Sequence, residues 1–332
     1  MKRLLPLLLT FLATAVQAED YANREDVRAF VAEMQARHGF EPAALEPLFA
    51  RARHDPVVIK AITPPKDPSV RSWARYRGRF VEPRRIAAGL RFRDEHRASL
   101  ARAEARFGVP AEVIVAIIGV ETVYGRNTGR FNAFGALTTL AFDYPPRASL
   151  FRRELEALLL LAREQDRSPL SYTGSFAGAI GLPQFLPSSQ RAWGTDWDGD
   201  GHVDLSASVD DAIGSVANFL AAHGWEKDGP VAAPVRLVGD PAPLIAEGIK
   251  PQRLPDEMPA IAPGNVPQQP AALIDLMTPE EETEYWLGYR NFYVLTRYNR
   301  SSFYAMAVYQ LAEALRSENG VTIDPVARHA TP

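Results

Sequence analysis

The chain has 332 residues, 46% hydrophobic and 23% charged, a globular composition with room for two or three domains that excludes a disordered or fibrous chain. Its net charge is −3, from 37 lysines and arginines against 40 aspartates and glutamates, and no basic field for a nucleic acid is present. Cysteine is absent, which excludes a disulfide framework, thiolate zinc sites, a thiol nucleophile and lipid attachment at a cysteine behind a leader.

In chain order, Lys2 and Arg3 precede an apolar stretch from Leu4 to Ala13, and Val16-Gln17-Ala18 sets small residues where a signal peptidase reads. Residues 1–18 are therefore expected to be a signal peptide, too short to span a membrane, cleaved near Ala18 to release a soluble exported chain. Residues 19–107 read as an N-terminal helical domain: Val27, Phe30, Val31 and Met34 recur at helical spacing, and Pro64, Pro65 and Pro68 interrupt it. A long helix is predicted from Pro83 through Ile86 and Leu90 to Leu100, with Arg and Glu on its solvated face. Pro110 opens a second helix, apolar nearly all round from Val113 to Val120 and ending near Gly125, so it should be buried.

Residues 108–228 read as one core domain, closing on a helix from about Val209 to His223. Prolines then become dense, and Val231–Val238 and Tyr289–Leu295 read as strands of a small β-rich domain over 229–300. Ser301 and Ser302 are candidate caps of a helix from Phe303 to Leu315, and residues 301–320 are expected to join the N-terminal domain, leaving 321–332 as a loose tail. The fold class is α+β, predominantly α.

Glu121 follows eight residues of which only Gly119 lacks an apolar side chain. Burial disfavours a charged carboxylate, and the negative end of a helix dipole acts in the same direction, so its pKa should rise. A raised glutamate is what protonation of a glycosidic oxygen at neutral pH requires. On burial alone, a core glutamate paired with an arginine explains the residue equally well.

Four segments carry a resemblance that bears on this choice. They are G-V-E-T-V-Y-G at 119–125, G-S-F-A-G-A-I-G-L-P-Q-F-L-P-S-S at 174–189, D-G-D-G-H-V-D-L at 198–205 and R-Y-N-R-S-S-F-Y-A-M-A-V at 297–308. In this order the chain, from about Tyr76 onward, resembles the lytic murein transglycosylase B family. The resemblance implies a lysozyme-like helical core, an additional helical domain and a small β-rich domain. It also implies an enzyme cleaving peptidoglycan glycan strands between N-acetylmuramic acid and N-acetylglucosamine with 1,6-anhydro ends, Glu121 acting first as acid and then as base. By the same resemblance Ser175 holds the acetamido group, and Gln184, Tyr76, Tyr298, Asn299, Tyr304 and Arg147 contact sugar. The family often has an arginine before Arg147, where Pro146 stands here. The missing lipid-attachment cysteine points to a soluble periplasmic form.

Asp196-Trp197-Asp198-Gly199-Asp200-Gly201-His202 follows the D-x-D-x-D-G spacing of an EF-hand loop, with His202 offering its carbonyl. The twelfth position is Ala207, which has no carboxylate, and the resemblance closes the loop further on, at Asp210. A structural Ca²⁺ is expected, with no cofactor needed for catalysis. The alternatives are an acidic turn without an ion, a hydrolytic muramidase using Asp143 as a second carboxylate, and a non-catalytic peptidoglycan-binding protein. Neither H-E-x-x-H nor G-x-S-x-G occurs, and Gly174, Gly178 and Gly181 do not spell a dinucleotide loop.

Overall fold

Helix starts and stops follow local chemistry in the computed structural model, which describes residues 21–64, 71–262, 264–279 and 281–317. The expected leader and the 321–332 tail lie outside the described residues. Helix α1 (Glu25–His38) carries Glu25 and Asp26 in its first turn, complementing the helix dipole, and stops at Gly39, whose φ of 66° suits glycine. Prolines open α2 (Pro42–Arg51) and α3 (Pro56–Ile62), and Ser72 caps α4 (Trp73–Phe80) through its Oγ. The long helix expected from Pro83 breaks at His96 into α5 (Pro83–Glu95) and α6 (Arg97–Phe107). Helix α7 (Ala111–Thr122) is buried continuously from Val113 to Val120, as its all-round apolar pattern requires.

A two-residue pair follows, β1 (Phe131–Asn132) with β2 (Thr173–Gly174), enclosing α8 (Ala133–Asp143) and α9 (Ala148–Glu164). Next come α10 (Pro187–Trp193) and α11 (Val209–Ala222). An antiparallel sheet of order β3-β5-β4 is built from β3 (Ala232–Val235), β4 (Ala272–Leu276) and β5 (Glu284–Gly288), with α12 (Ala242–Ala246) packed on β4. Helices α13 (Arg290–Tyr298) and α14 (Ser302–Arg316) are the last elements among the described residues.

The packing divides this chain differently from its sequence order. Val27, Phe30 and Phe49 of the first helices share a core with Phe134 and Phe142 of α8 and Leu155 of α9. Trp73, Ile86 and Leu100 share another with Ile114 and Ile117 of α7, Val216 of α11 and Leu311 of α14. The expected unit of 19–107 plus 301–320 is therefore corrected: only its second half joins the final helix. Each half carries its own apolar stripe, and each stripe finds a different partner. The 108–228 region likewise contributes α8 and α9 to one core and α7 and α11 to the other, so a seam runs through it. A third core, with Leu244, Leu273, Leu287 and Tyr289, fills the β-rich part.

A second correction concerns Tyr289–Leu295, expected as a strand: Tyr289 is the extended residue that links β5 to α13, and Arg290–Leu295 lie within that helix. The alternation at Phe292 and Val294 misleads, because Tyr289, Phe292 and Leu295 are buried at three-residue spacing. Asn291 fixes this turn, accepting from the Glu226 amide at 2.8 Å and donating to the Glu226 carbonyl at 2.8 Å and the Gly229 carbonyl at 3.0 Å.

Candidate active site

Glu121 stands on the penultimate residue of α7, where the helix is stopped abruptly. Val123, Tyr124 and Gly125 take φ values of 53°, 60° and 83°, three successive left-handed residues, the first of them β-branched. The surrounding bonds hold this conformation in place. The amides of Val123 and Tyr124 return to the carbonyls of Gly119 and Ile118, satisfying the last acceptors of the helix. Thr122 donates its hydroxyl to the Leu182 carbonyl at 2.8 Å and accepts the Gly125 amide at 3.0 Å. The Arg85 guanidinium donates to the Gly119 carbonyl, and Tyr124 donates to the Arg85 carbonyl at 3.0 Å. A Cβ at Gly119 would lie 2.6 Å from the Tyr124 oxygen, so that glycine makes room for the ring.

This turn aims the Glu121 side chain into the seam, where it lines a groove of about 550 Å³ and keeps a partly exposed surface. Burial among protein atoms pushes its carboxyl up to about 7 from an ordinary 4.5, against the opposing effect of one hydrogen bond. That bond comes from Tyr304, whose hydroxyl donates to Oε1 at 2.6 Å. Among the described residues no cation enters the balance, so the arginine-paired core glutamate left open by the sequence is not what forms. Tyr298 stacks on Tyr304 at 6.2 Å with planes 12° apart, and donates to the Pro183 carbonyl at 2.5 Å. Tyr76 completes the tyrosine set; burial first, and then the charge of Glu121, push its phenol up to about 12.

Ser175 and Gln184 line the same groove. The Ser175 hydroxyl oxygen accepts from the amides of Ala177 at 3.3 Å and Ala179 at 3.1 Å, which leaves its proton to be donated outward. Gln184, at φ 51°, donates Nε2 to the carbonyls of Thr128 at 3.0 Å and Gly181 at 2.9 Å, leaving Oε1 as an acceptor. Close backbone contact shapes this wall: a Cβ on Gly129 would lie 2.1 Å from the Gly174 carbonyl.

Two expected contacts are placed elsewhere. Arg147 is exposed at the start of α9, its guanidinium 5.2 Å from the Phe151 ring centre, and Asn299 is exposed after α13; neither lines the groove. Conversely, sequence reasoning missed Arg126, Asn127, Thr128, Arg130 and Phe176, all of which do. For the first four the signal was the R-N-T-G-R run directly after the glutamate motif, and Phe176 stands beside Ser175 in the 174–189 segment. Asp143 is held away from the groove by Tyr21, by Arg24 at 2.5 Å and by His54 at 2.7 Å. Burial alone would raise its carboxyl, but these three hydrogen bonds outweigh it and hold the group below the usual range.

In the acidic loop, Asp196, Asp198 and Asp211 present oxygens that all lie within 4.8 Å of one another. Asp211 thus takes the place expected of Asp210, for a reason of helix register. Ser208 caps α11 by accepting the Asp211 amide, and the Asp211 carboxylate turns back onto the loop, accepting from the amides of Trp197 at 2.7 Å and Asp204 at 2.8 Å. Gly199 and Gly201 have φ values of 81° and 90°, and Asp200 and His202 stand between and after them in the loop. Three converging carboxylates fit a hard cation, so this cluster could hold a metal ion.

The transglycosylase SLT domain family matches residues 22–313. The chain belongs to this family. A curated relative, membrane-bound lytic murein transglycosylase B of Escherichia coli (strain K12), is 40% identical over 311 residues, covering 89% of this chain and 84% of the relative. Soluble lytic transglycosylase SltB1 from Pseudomonas aeruginosa superposes with a TM-score of 0.82 at 45% identity, over 89% of this chain and 100% of that one. Escherichia coli Slt35, solved in complex with calcium, gives 0.75 at 39% over 89% and 94%. Pseudomonas aeruginosa SltB3, solved in complex with NAG-anhNAM-pentapeptide, gives 0.77 at 30% over 88% and 79%. Within this SLT family the lysozyme-like, mainly helical fold expected from the motifs is the one observed.

Proposed function

We propose that this SLT-family lytic transglycosylase cleaves peptidoglycan between N-acetylmuramic acid and N-acetylglucosamine, with Glu121 as its one catalytic acid and base. The observation that carries this is a groove carboxyl whose pKa of about 7 matches neutral pH, with the second candidate, Asp143, tied up outside it. Such a group is protonated often enough to give a proton and ionised often enough to take one. In the first step Glu121 donates its proton to the bridging oxygen as the anomeric carbon–oxygen bond breaks, and N-acetylglucosamine leaves with that proton. In the second, the ionised carboxylate accepts the proton of the muramic acid 6-hydroxyl while its oxygen bonds to the anomeric carbon. The 1,6-anhydro ring closes, Glu121 is protonated again and no water is consumed.

Neighbouring groups have matching tasks. Tyr304, donating at 2.6 Å, supports the ionised carboxylate between the two steps. Ser175 has a proton for an acetamido carbonyl and Gln184 an acceptor for a sugar hydroxyl or amide. Tyr76 and Tyr298 offer aromatic faces to sugar C–H edges. Arg147 and Asn299 lie outside the lining of the Glu121 groove and are assigned no role here. In the acidic loop we assign a structural Ca²⁺ to Asp196, Asp198 and Asp211, with Asp200 and the His202 carbonyl beside them. When bound, the ion would cross-link the loop to the start of α11, a hard-cation role remote from proton transfer. The leader-like residues 1–18 support a periplasmic location. Digestion of peptidoglycan in ¹⁸O-enriched water tests the reaction: the expected products are anhydro ends without label. Reducing ends carrying ¹⁸O would instead establish hydrolysis.

A further inference from the structure

We propose that the arginine-lined groove beside Tyr76 is a separate subsite for the carboxylates of the peptide stem on a strand held against Glu121. The proposal rests on the peptidoglycan reading above. This groove, about 630 Å³, is lined by Arg71, Arg75, Arg79 and Arg300, with Asp275 the one carboxylate among its lining residues. All four arginines are exposed, and among the described residues none is engaged in an ion pair. Some other arginines are matched, as Arg191 is by Glu164 at 2.7 Å and Arg253 by Glu247 at 2.6 Å, so it is the convergence of four unmatched ones on a single cavity that sets this groove apart. Four like charges around one cavity repel one another, and an anion placed among them relieves that repulsion. Ser72 and Ser301, which cap α4 and α14, also line the groove, so the positive ends of two helices open onto it.

The groove adjoins the bond-breaking site. Ser302 and Phe303 line it, and the next residue, Tyr304, donates to Glu121. Tyr76 forms part of its wall while its phenol senses both the Glu121 and the Arg79 charges. A substituent on a sugar bound against the tyrosines can therefore reach the arginines. Neutral N-acetylated sugars need no guanidinium cluster. The muramic acid substituent does bear carboxylates, and the SLT-family relative solved with NAG-anhNAM-pentapeptide holds a ligand with such a stem. Planar guanidinium groups match carboxylates bidentately, which lysines cannot reproduce.

The test compares the full chain with an Arg75→Gln/Arg300→Gln double variant on two substrates, strands bearing peptide stems and strands stripped of them by an amidase. On stem-bearing strands the double variant should raise KM about fivefold with kcat unchanged, and added salt should erase the difference. On stripped strands, where the amidase leaves only the lactyl carboxylate on the sugar, the two proteins should differ much less. The Arg75→Lys/Arg300→Lys pair, which keeps the charge, should fall between them and controls for folding. Equal losses on both substrates would overturn the proposal by making the groove a sugar or scaffold element, and equal activity on both would overturn it by leaving the groove no role. Should the unmodified protein give no anhydro ends from either substrate, the activity reading itself fails, which is a different result from either.

Discussion

Replacing Glu121 with glutamine separates its chemistry from its effect on stability. In the folded chain the carboxyl keeps its proton up to about 7, against 4.5 when exposed. Between those values the folded state binds more protons than the unfolded one, so stability falls as pH rises through this window. The penalty is absent below 4.5 and complete above about 7, where it amounts to about 3 kcal/mol. Glutamine does not titrate, and its Oε1 can still accept the Tyr304 hydroxyl. Glu121→Gln should therefore abolish turnover while raising Tm by about 5 °C near pH 8 and leaving it unchanged near pH 4. Thermal melts of both proteins across that range provide the assay. Melting temperatures that run parallel at every pH would refute the argument, whatever the activity of the variant.

Three further outcomes are expected. Tyr304→Phe removes the one hydrogen bond opposing burial, so the Glu121 pKa should climb and the alkaline limb of the pH–rate profile should move up, with kcat down about tenfold or more. Asp143→Asn should cost about 1–3 kcal/mol near neutrality, a loss that shrinks as acid protonates the wild-type group below its unfolded pKa, while the anhydro product is unchanged; a shift in product would restore it as a second carboxylate. Added Ca²⁺ at about a hundred times its Kd should stabilise the protein by about 3 kcal/mol in calorimetry, an effect lost in Asp211→Asn and kept in Asp210→Asn.

What the sequence disclosed is what short-range chemistry encodes. Glu121 stood out by its contiguous apolar helix, yet burial alone left a core glutamate equally open, and it was the family resemblance that singled it out together with Ser175 and Gln184. The seam they share was not legible, since it depends on α1–α3 docking against α8 and α9 across about a hundred intervening residues. Local pattern misread Tyr289–Leu295 because aromatic and branched residues suit strands, while burial of Tyr289, Phe292 and Leu295 selects a helix. Choosing Asp210 over Asp211 turned on one position of helix register, which the Ser208 cap decides. Arg126 and Arg130 escaped notice because charged residues after a helix read as solvated surface, and although both are exposed, only the fold shows that they line the groove.

The most direct trial of the central idea is a ¹³C NMR titration of the Glu121 carboxyl carbon, assigned by comparison with the glutamine variant. A midpoint near 7 is the expected result. A midpoint at the ordinary 4.5 would mean that the group is a plain anion at neutral pH, with no proton to give the glycosidic oxygen.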